Sequence, residues 1–228
     1  AQKLVKRIID EHAILLMAGE MAFFVFSVVI LALIRTGKPI GRRLGMTSIP
    51  LPHLLLICAV TIPLAMFCGG LHQILTAVWE SLTEGMPIFE RFSGMDINET
   101  LKPLSEGVPI AALFLMIAVA PAIGEEIVFR GVIGRGLVAR YGIVAGVTLT
   151  SLAFAAVHIH PAHVLSLLPL AFFIHLVYLT TRSFLAPMLL HLLNNSLAVV
   201  ILKLSGLLEE SAVAGEEAMH PLALVGLG

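Results

Sequence analysis

Four long windows of the sequence contain no charged residue. No Lys, Arg, Asp or Glu occurs in residues 44–79, 107–124, 141–181 or 183–202 of the 228-residue chain. Only 13% of the residues are charged and 58% are hydrophobic, whereas a soluble domain carries roughly 25% charged residues. A membrane-spanning helix needs about 20 mostly apolar residues, and the first and third windows are long enough for more than one. The chain is therefore predicted to be all-α, a polytopic transmembrane helix bundle in the cell membrane.

The windows, together with an earlier apolar run at residues 13–34, predict about six spans, or up to eight helices. The second span is expected to break at Pro63 and at Gly69–Gly70, and a turn is expected at residues 160–163, because proline fits poorly inside a helix. Three regions follow from this organisation. They are N-terminal spans with a polar loop (1–106), a helical core (107–204) and an acidic C-terminal tail (205–228).

Several classes of protein are excluded. A net charge of −1 offers no basic surface for nucleic acid, and long continuous apolar runs do not fit the alternating strands of an outer-membrane barrel. Two cysteines, Cys58 and Cys68, make no disulfide framework or zinc cluster and are predicted to be small packing residues. The expected surroundings are a lipid bilayer. The acidic loop at 80–106 is interpreted as a solvated connector, with a partner-binding cap as the alternative.

Polar residues inside such windows are costly and usually functional. Glu125 and Glu126 follow a long apolar run, and Glu126 lies four residues before Arg130, a spacing that allows an ion pair on a helix. Glu125 points roughly 100° away on that helix and lacks this partner. A carboxylate without a counter-ion in a low-dielectric setting is suited to act as a general base. The alternative is that both glutamates begin an interfacial segment in contact with water.

Two further pairs repeat the four-residue spacing. Phe154 and His158 share a helix face near the end of a short span, and His191 and Asn195 share a face in the middle of the last span. The alternative for His158 is a headgroup-level histidine cluster with its neighbours at 160 and 163. For His191 and Asn195 the alternative is interhelical hydrogen bonding. Three more histidines have no partner at a telling spacing and are interpreted as structural: His53, His72 and His175.

Taken together, the pairs predict a site that activates water. A carboxylate can take a proton from water, while histidine and asparagine side chains can hold that water or the oxyanion it creates. Hydrolysis inside a bilayer requires such a polar pocket, because lipid supplies no water.

The three motifs, Glu125-Glu126-x-x-x-Arg130, Phe154-x-x-x-His158 and His191-x-x-x-Asn195, resemble those of the CPBP (CAAX protease and bacteriocin-processing, or Abi) family of intramembrane proteases. That family includes type II CAAX prenyl endopeptidases. The resemblance covers about residues 107–204 and implies a helix bundle around a polar intramembrane cavity.

The resemblance also implies roles for single residues. It makes Glu125 the catalytic base and His158 its partner on the nucleophilic water, with His191 and Asn195 positioning water or oxyanion. It assigns Glu126 and Arg130 to the organisation of the site.

Other protease chemistries fit the sequence poorly. An aspartyl mechanism needs two membrane aspartates, but Asp10 and Asp96 both lie outside the predicted spans. Neither a GxSG-like nucleophile nor the zinc motif HExxH occurs. A zinc site formed by Glu125, His158 and His191 remains an alternative, since carboxylate and imidazole are normal zinc ligands and relatives have at times been described as metalloproteases. The favoured mechanism needs no metal or other cofactor.

The predicted function is an intramembrane endopeptidase acting on a membrane-embedded or membrane-anchored protein or peptide. The alternative from another class is a non-proteolytic membrane protein on the same scaffold, such as an immunity factor or a partner-binding subunit. A degenerate member of that kind is expected to have lost a catalytic Glu or His, and this chain keeps them.

Overall fold

The computed structural model describes the backbone of residues 44–92, 101 and 108–225, and their side chains except at 90, 91 and 209–225. Within these residues the ordered elements are helices, with no strand among them, so the predicted all-α class is confirmed. The predicted first span at 13–34 and most of the loop at 93–107 lie outside the described residues.

The elements follow one another along the chain. They are α1 (Leu51–Thr83), a 3₁₀ helix (Pro87–Phe92), α2 (Ile110–Leu113), a first π-helical segment (Phe114–Val119), α3 (Ala120–Glu126), a second π-helical segment (Ile127–Gly134), α4 (Arg135–Ala156), α5 (Pro161–Thr181) and α6 (Leu185–Val225).

Helix α1 is continuous, so the predicted break in the second span is wrong. Pro63 lies inside the helix, and membrane helices tolerate proline because neighbouring groups satisfy the freed backbone carbonyl. A Cβ atom at Gly69 or Gly70 would meet nothing within 4 Å, so these glycines mark neither a turn nor a close helix contact.

The helical run from residue 110 to residue 156 reverses at Gly142. This residue has φ 81° and ψ 172°, a left-handed, non-helical conformation that favours glycine. A Cβ atom at Gly146 would lie 2.5 Å from the Cα atom of Val138, a contact that two residues so far apart along a straight helix cannot make. The chain therefore folds back on itself at Gly142.

The predicted turn before α5 is displaced. Pro161 is the first residue of α5 and His160 is its N-cap residue, so the turn occupies residues 157–160 rather than 160–163. Proline suits the first position of a helix because its missing N–H has no partner to lose there. Helix α6 runs on to Val225, so the predicted boundary between core and tail at 204 does not end a helix.

Helix α6 is central to the packing. It contacts α1, the first π-helical segment, α3 and α5, while α5 also contacts α1 and α4. One core cluster lies between α1, α5 and α6 and includes Ile57, Leu170, Ile174 and Leu190. Burial of these side chains drives the helices together within the described part of the chain.

Large apolar side chains also cover the outer surface. On α1 alone, Leu55, Leu56, Met66 and Phe67 are exposed, as expected of a surface in contact with lipid. Four helical runs are long and apolar enough to cross a membrane: Leu51–Thr83, Ile110–Ala156, Pro161–Thr181 and Leu185–Leu208. The chain is a membrane protein, and the count of six spans stays a prediction.

Candidate active site

The glutamate motif lies where the helical pattern changes. Helix α3 is flanked by the two π-helical segments, and the second of these carries Arg130. Such π-helical turns occur frequently at functional sites. The other predicted site residues come from the end of α4 and from α6, so three parts of the chain supply the site.

Glu126 and Arg130 form the predicted ion pair. Nη1 of Arg130 donates to Oε1 of Glu126 at 2.9 Å, and both side chains are fully buried. Nη2 of Arg130 donates to the carbonyl oxygen of Ala171 at 3.1 Å, and the guanidinium carbon lies 4.4 Å from the ring centroid of Phe154. A buried charge needs partners of this kind, so Arg130 ties the glutamate motif to α4 and α5.

His191 lies between the two glutamates. Its Nδ1 atom is 2.9 Å from Oε1 of Glu126, and its Nε2 atom is 3.9 Å from Oε2 of Glu125. Oε1 of Glu126 is a carboxylate oxygen that also accepts from Arg130. A carboxylate oxygen only accepts hydrogen bonds, so Nδ1 of His191 is the donor. The Nε2 atom is then directed toward Glu125. One buried imidazole thus links the two glutamates at different distances.

Glu125 has a different environment from its neighbour. Its side chain is 11% exposed, whereas that of Glu126 is 0% exposed. It takes no part in the ion pair with Arg130, and both His191 and His158 are near enough to interact with it electrostatically. The separation of the two carboxylates, predicted from their 100° offset on the helix, is present in the structure.

His158 follows the last turn of α4 and is half-buried. Its Nδ1 atom lies 3.1 Å from the carbonyl oxygen of Phe154. A carbonyl oxygen can only accept, so Nδ1 donates and Nε2 remains able to accept a proton. The motif spacing that sets Phe154 four residues before His158 therefore orients the imidazole through the backbone.

Asn195 makes a contact that the motif alone did not indicate. Its Nδ2 atom donates to the carbonyl oxygen of Ile117 at 3.0 Å. Asn194 donates to Oδ1 of Asn195 at 3.2 Å. Asn195 therefore joins α6 to the first π-helical segment, about two turns before the glutamates.

The comparison with known families bears on this region. Residues 107–197 match the family model described as Type II CAAX prenyl endopeptidase Rce1-like. The match supports an assignment of this part of the chain to the CPBP/CAAX family of intramembrane proteases. No curated protein and no solved structure matches the chain. All six predicted site residues fall within the matched segment of the CPBP/CAAX family, and α1 lies outside it.

In the part of the chain that the structure describes, no three His, Cys, Asp or Glu side chains are grouped so that they could hold a metal ion. The alternative of a zinc site at Glu125, His158 and His191 stays a prediction. Nδ1 of His191 is also engaged with Glu126.

An apolar groove of about 340 Å³ lies beside the CPBP/CAAX motifs. Its lining includes Ala122 of α3 and Met188 and Leu192 of α6. Ala122 is one helical turn before Glu125 and Glu126, and Met188 and Leu192 flank His191 in sequence. The groove is therefore lined by apolar residues of the two helices that carry the glutamates and His191.

Sequence reasoning missed the backbone partners in the CPBP/CAAX site. The carbonyl of Ala171, which accepts from Arg130, carries no signal in the sequence. The carbonyl of Ile117, which accepts from Asn195, carries none either.

Proposed function

We propose that the protein is an endopeptidase of the cell membrane that hydrolyses a peptide bond in a membrane-embedded or membrane-anchored protein or peptide. The observation that carries the proposal is the different pairing of two adjacent buried glutamates. Glu126 accepts from Arg130 and from His191, while Glu125 is outside the Arg130 ion pair and lies near two imidazoles. The carboxylate of Glu126 thus has a structural role, and that of Glu125 is free for proton transfer.

In the proposed reaction Glu125 is the general base. It takes a proton from a water molecule whose oxygen attacks the carbonyl carbon of the scissile peptide bond. The carbonyl oxygen becomes an oxyanion in a tetrahedral intermediate. The proton then passes from Glu125 to the leaving amide nitrogen, the carbon–nitrogen bond breaks, and the products are a carboxylic acid and an amine. Atoms and charge balance with one water consumed.

The imidazoles and the amide have supporting roles in this proposal. His158 holds the nucleophilic water through Nε2, since its Nδ1 is engaged with the backbone. His191 lies with Nε2 3.9 Å from Oε2 of Glu125, too far for a direct hydrogen bond, and is proposed to position the water or the oxyanion. The amide group of Asn195 carries two N–H bonds, of which one is engaged with Ile117, and the other is proposed to donate to water or to the oxyanion.

The same geometry favours the glutamate mechanism over a zinc-dependent one. A zinc site needs at least three converging protein ligands, and the described residues provide no such group. The engagement of Nδ1 of His191 with Glu126 supports a role for His191 in orienting carboxylates.

The test compares membranes that contain the wild-type chain with membranes that contain Glu125→Gln or His158→Ala. Mass spectrometry of membrane-protein termini is expected to find new termini with the wild type and with neither of these two variants. Glu80→Gln is the matched control, because Glu80 is an exposed carboxylate in α1 outside the site. If both site variants fold and still generate the new termini, the proposed catalytic roles are wrong.

A further inference from the structure

A second group of histidines lies directly behind His158. The ring of His163 in α5 is 5.2 Å, centroid to centroid, from the ring of His158, with an interplanar angle of 55°. The same His163 ring is 5.2 Å from the ring of His72 in α1, with an interplanar angle of 86°. The contact of His163 with His72 is an edge contact, and that with His158 is a tilted one. Three imidazoles thus form a continuous row from the site to α1.

Helix α1 holds the far end of this row. His72 is buried, and its Nδ1 atom lies 3.5 Å from Oγ of Ser166. The Oγ atom of Ser166 also donates to the backbone carbonyl of His163 at 2.9 Å. The hydroxyl of Ser166 therefore contacts both the side chain of His72 in α1 and the backbone of His163 in the first turn of α5.

The near end of the row is held by an unusual turn. Between His158 and α5 the chain passes through Ile159 at φ 66°, a conformation that is strained for a β-branched residue and persists only where the surroundings impose it. The turn brings His158 and His163 to the same side. Trp79 of α1 packs on the ring of His160 at 6.2 Å, so α1 contacts the turn itself.

We propose that His163 is a positioning residue that holds the imidazole of His158 in place, and that His72 of α1 in turn fixes His163. The inference rests on the proposed function, in which His158 holds the nucleophilic water. Its consequence is that α1, which lies outside the segment matched to the protease family, contributes to the orientation of a residue at the site.

The test records the protonation state of the His158 ring nitrogens by NMR of the whole chain, labelled with ¹⁵N-histidine, in lipid nanodiscs. The nine histidines give few enough signals for His158 to be assigned from the variant His158→Gln. In the wild type Nδ1 is expected to be the protonated nitrogen. In His163→Ala the ring is expected to lose its orientation, and the two nitrogen signals are expected to average. The loss of a neighbouring ring current by itself shifts the signals far less than such averaging.

Two variants and a control separate positioning from general damage. His163→Phe keeps an aromatic ring at the contact and is expected to give the wild-type His158 signals. His72→Ala is expected to change the His158 signals in the same direction as His163→Ala. His53→Ala, the matched control on α1, is expected to leave them unchanged. Thermal unfolding verifies that each variant is folded.

Activity is measured in the same nanodiscs with a farnesylated, fluorogenic CAAX peptide as the probe. The kcat of His163→Ala is expected to fall roughly ten- to hundredfold, as for a misplaced catalytic group, with KM within twofold. His158 signals unchanged in His163→Ala, or equally disturbed in His163→Phe and His163→Ala, would overturn the proposal. The NMR measurement does not depend on catalysis. Cleavage retained by Glu125→Gln would reject the proposed function, whereas the NMR signals of His163→Ala would still test whether His163 positions His158.

Discussion

The side-chain amide of Asn195 in α6 donates to the backbone carbonyl of Ile117 in the first π-helical segment at 3.0 Å. The hydrogen bond joins α6 to the helical segment that leads into the glutamate motif. Asn195, which the sequence assigns to positioning water or oxyanion, thus also donates a hydrogen bond to the backbone of a neighbouring helical segment.

Replacement of this amide is expected to lower stability as well as activity. Asn195→Ala leaves the carbonyl of Ile117 without its side-chain donor, which costs about 1–3 kcal/mol where the group is buried. Equilibrium unfolding with SDS in mixed micelles measures the loss. Asn194→Ala is the matched control, because it removes only a bond to the side chain of Asn195, and its effect is expected to be smaller.

The two adjacent glutamates are expected to respond differently to the same substitution. Glu126→Gln leaves the fully buried Arg130 without its counter-ion, which is expected to cost about 3–5 kcal/mol. Glu125→Gln removes no partner of Arg130 and is expected to change stability by less than about 1 kcal/mol, while cleavage is lost. SDS unfolding and a cleavage assay on both variants provide the comparison, and equal stability losses would contradict the separate roles.

The chain reversal at Gly142 depends on a glycine further along α4. A Cβ atom at Gly146 would lie 2.5 Å from both the N and the Cα atoms of Val138. Gly146→Ala is therefore expected to destabilise the protein by about 1–3 kcal/mol through overpacking. At Gly136 a Cβ atom would meet nothing within 4 Å, so Gly136→Ala is expected to be neutral or to stabilise by about 0.5–1 kcal/mol. Equal effects at the two positions would argue against the close packing across the reversal.

Removal of metal ions is expected to leave proteolysis intact. The described residues contain no group of ligands suited to a metal ion, and Nδ1 of His191 is engaged with Glu126. The measurement is cleavage before and after dialysis against a chelator, together with the metal content of the purified protein. A stoichiometric zinc lost together with activity, and restored with it, would establish the metal-dependent mechanism instead.

Sequence reasoning was most accurate where the controlling physics is local. The pairing of Glu126 with Arg130 follows from a four-residue helical spacing, which both residues share along one helix. It was wrong at Pro63, where α1 continues, and at Pro161, which begins a helix. The physical reason is that proline opposes a helix only where its missing N–H or its ring meets an unfavourable environment, which a single sequence does not show.

The sequence by itself determined that this chain is an all-helical membrane protein and which few polar residues its apolar helices carry, because charge-free length and helical spacing are properties of neighbouring residues. Only the tertiary structure decided how those residues meet. The contact of His191 with Glu126 joins residues 65 positions apart, and that of Asn195 with Ile117 joins residues 78 apart. The row of imidazoles from His158 to His72 likewise depends on how α1 packs against α5. Contacts at such separations depend on helix packing across the whole bundle, so no pattern within one helix contains them.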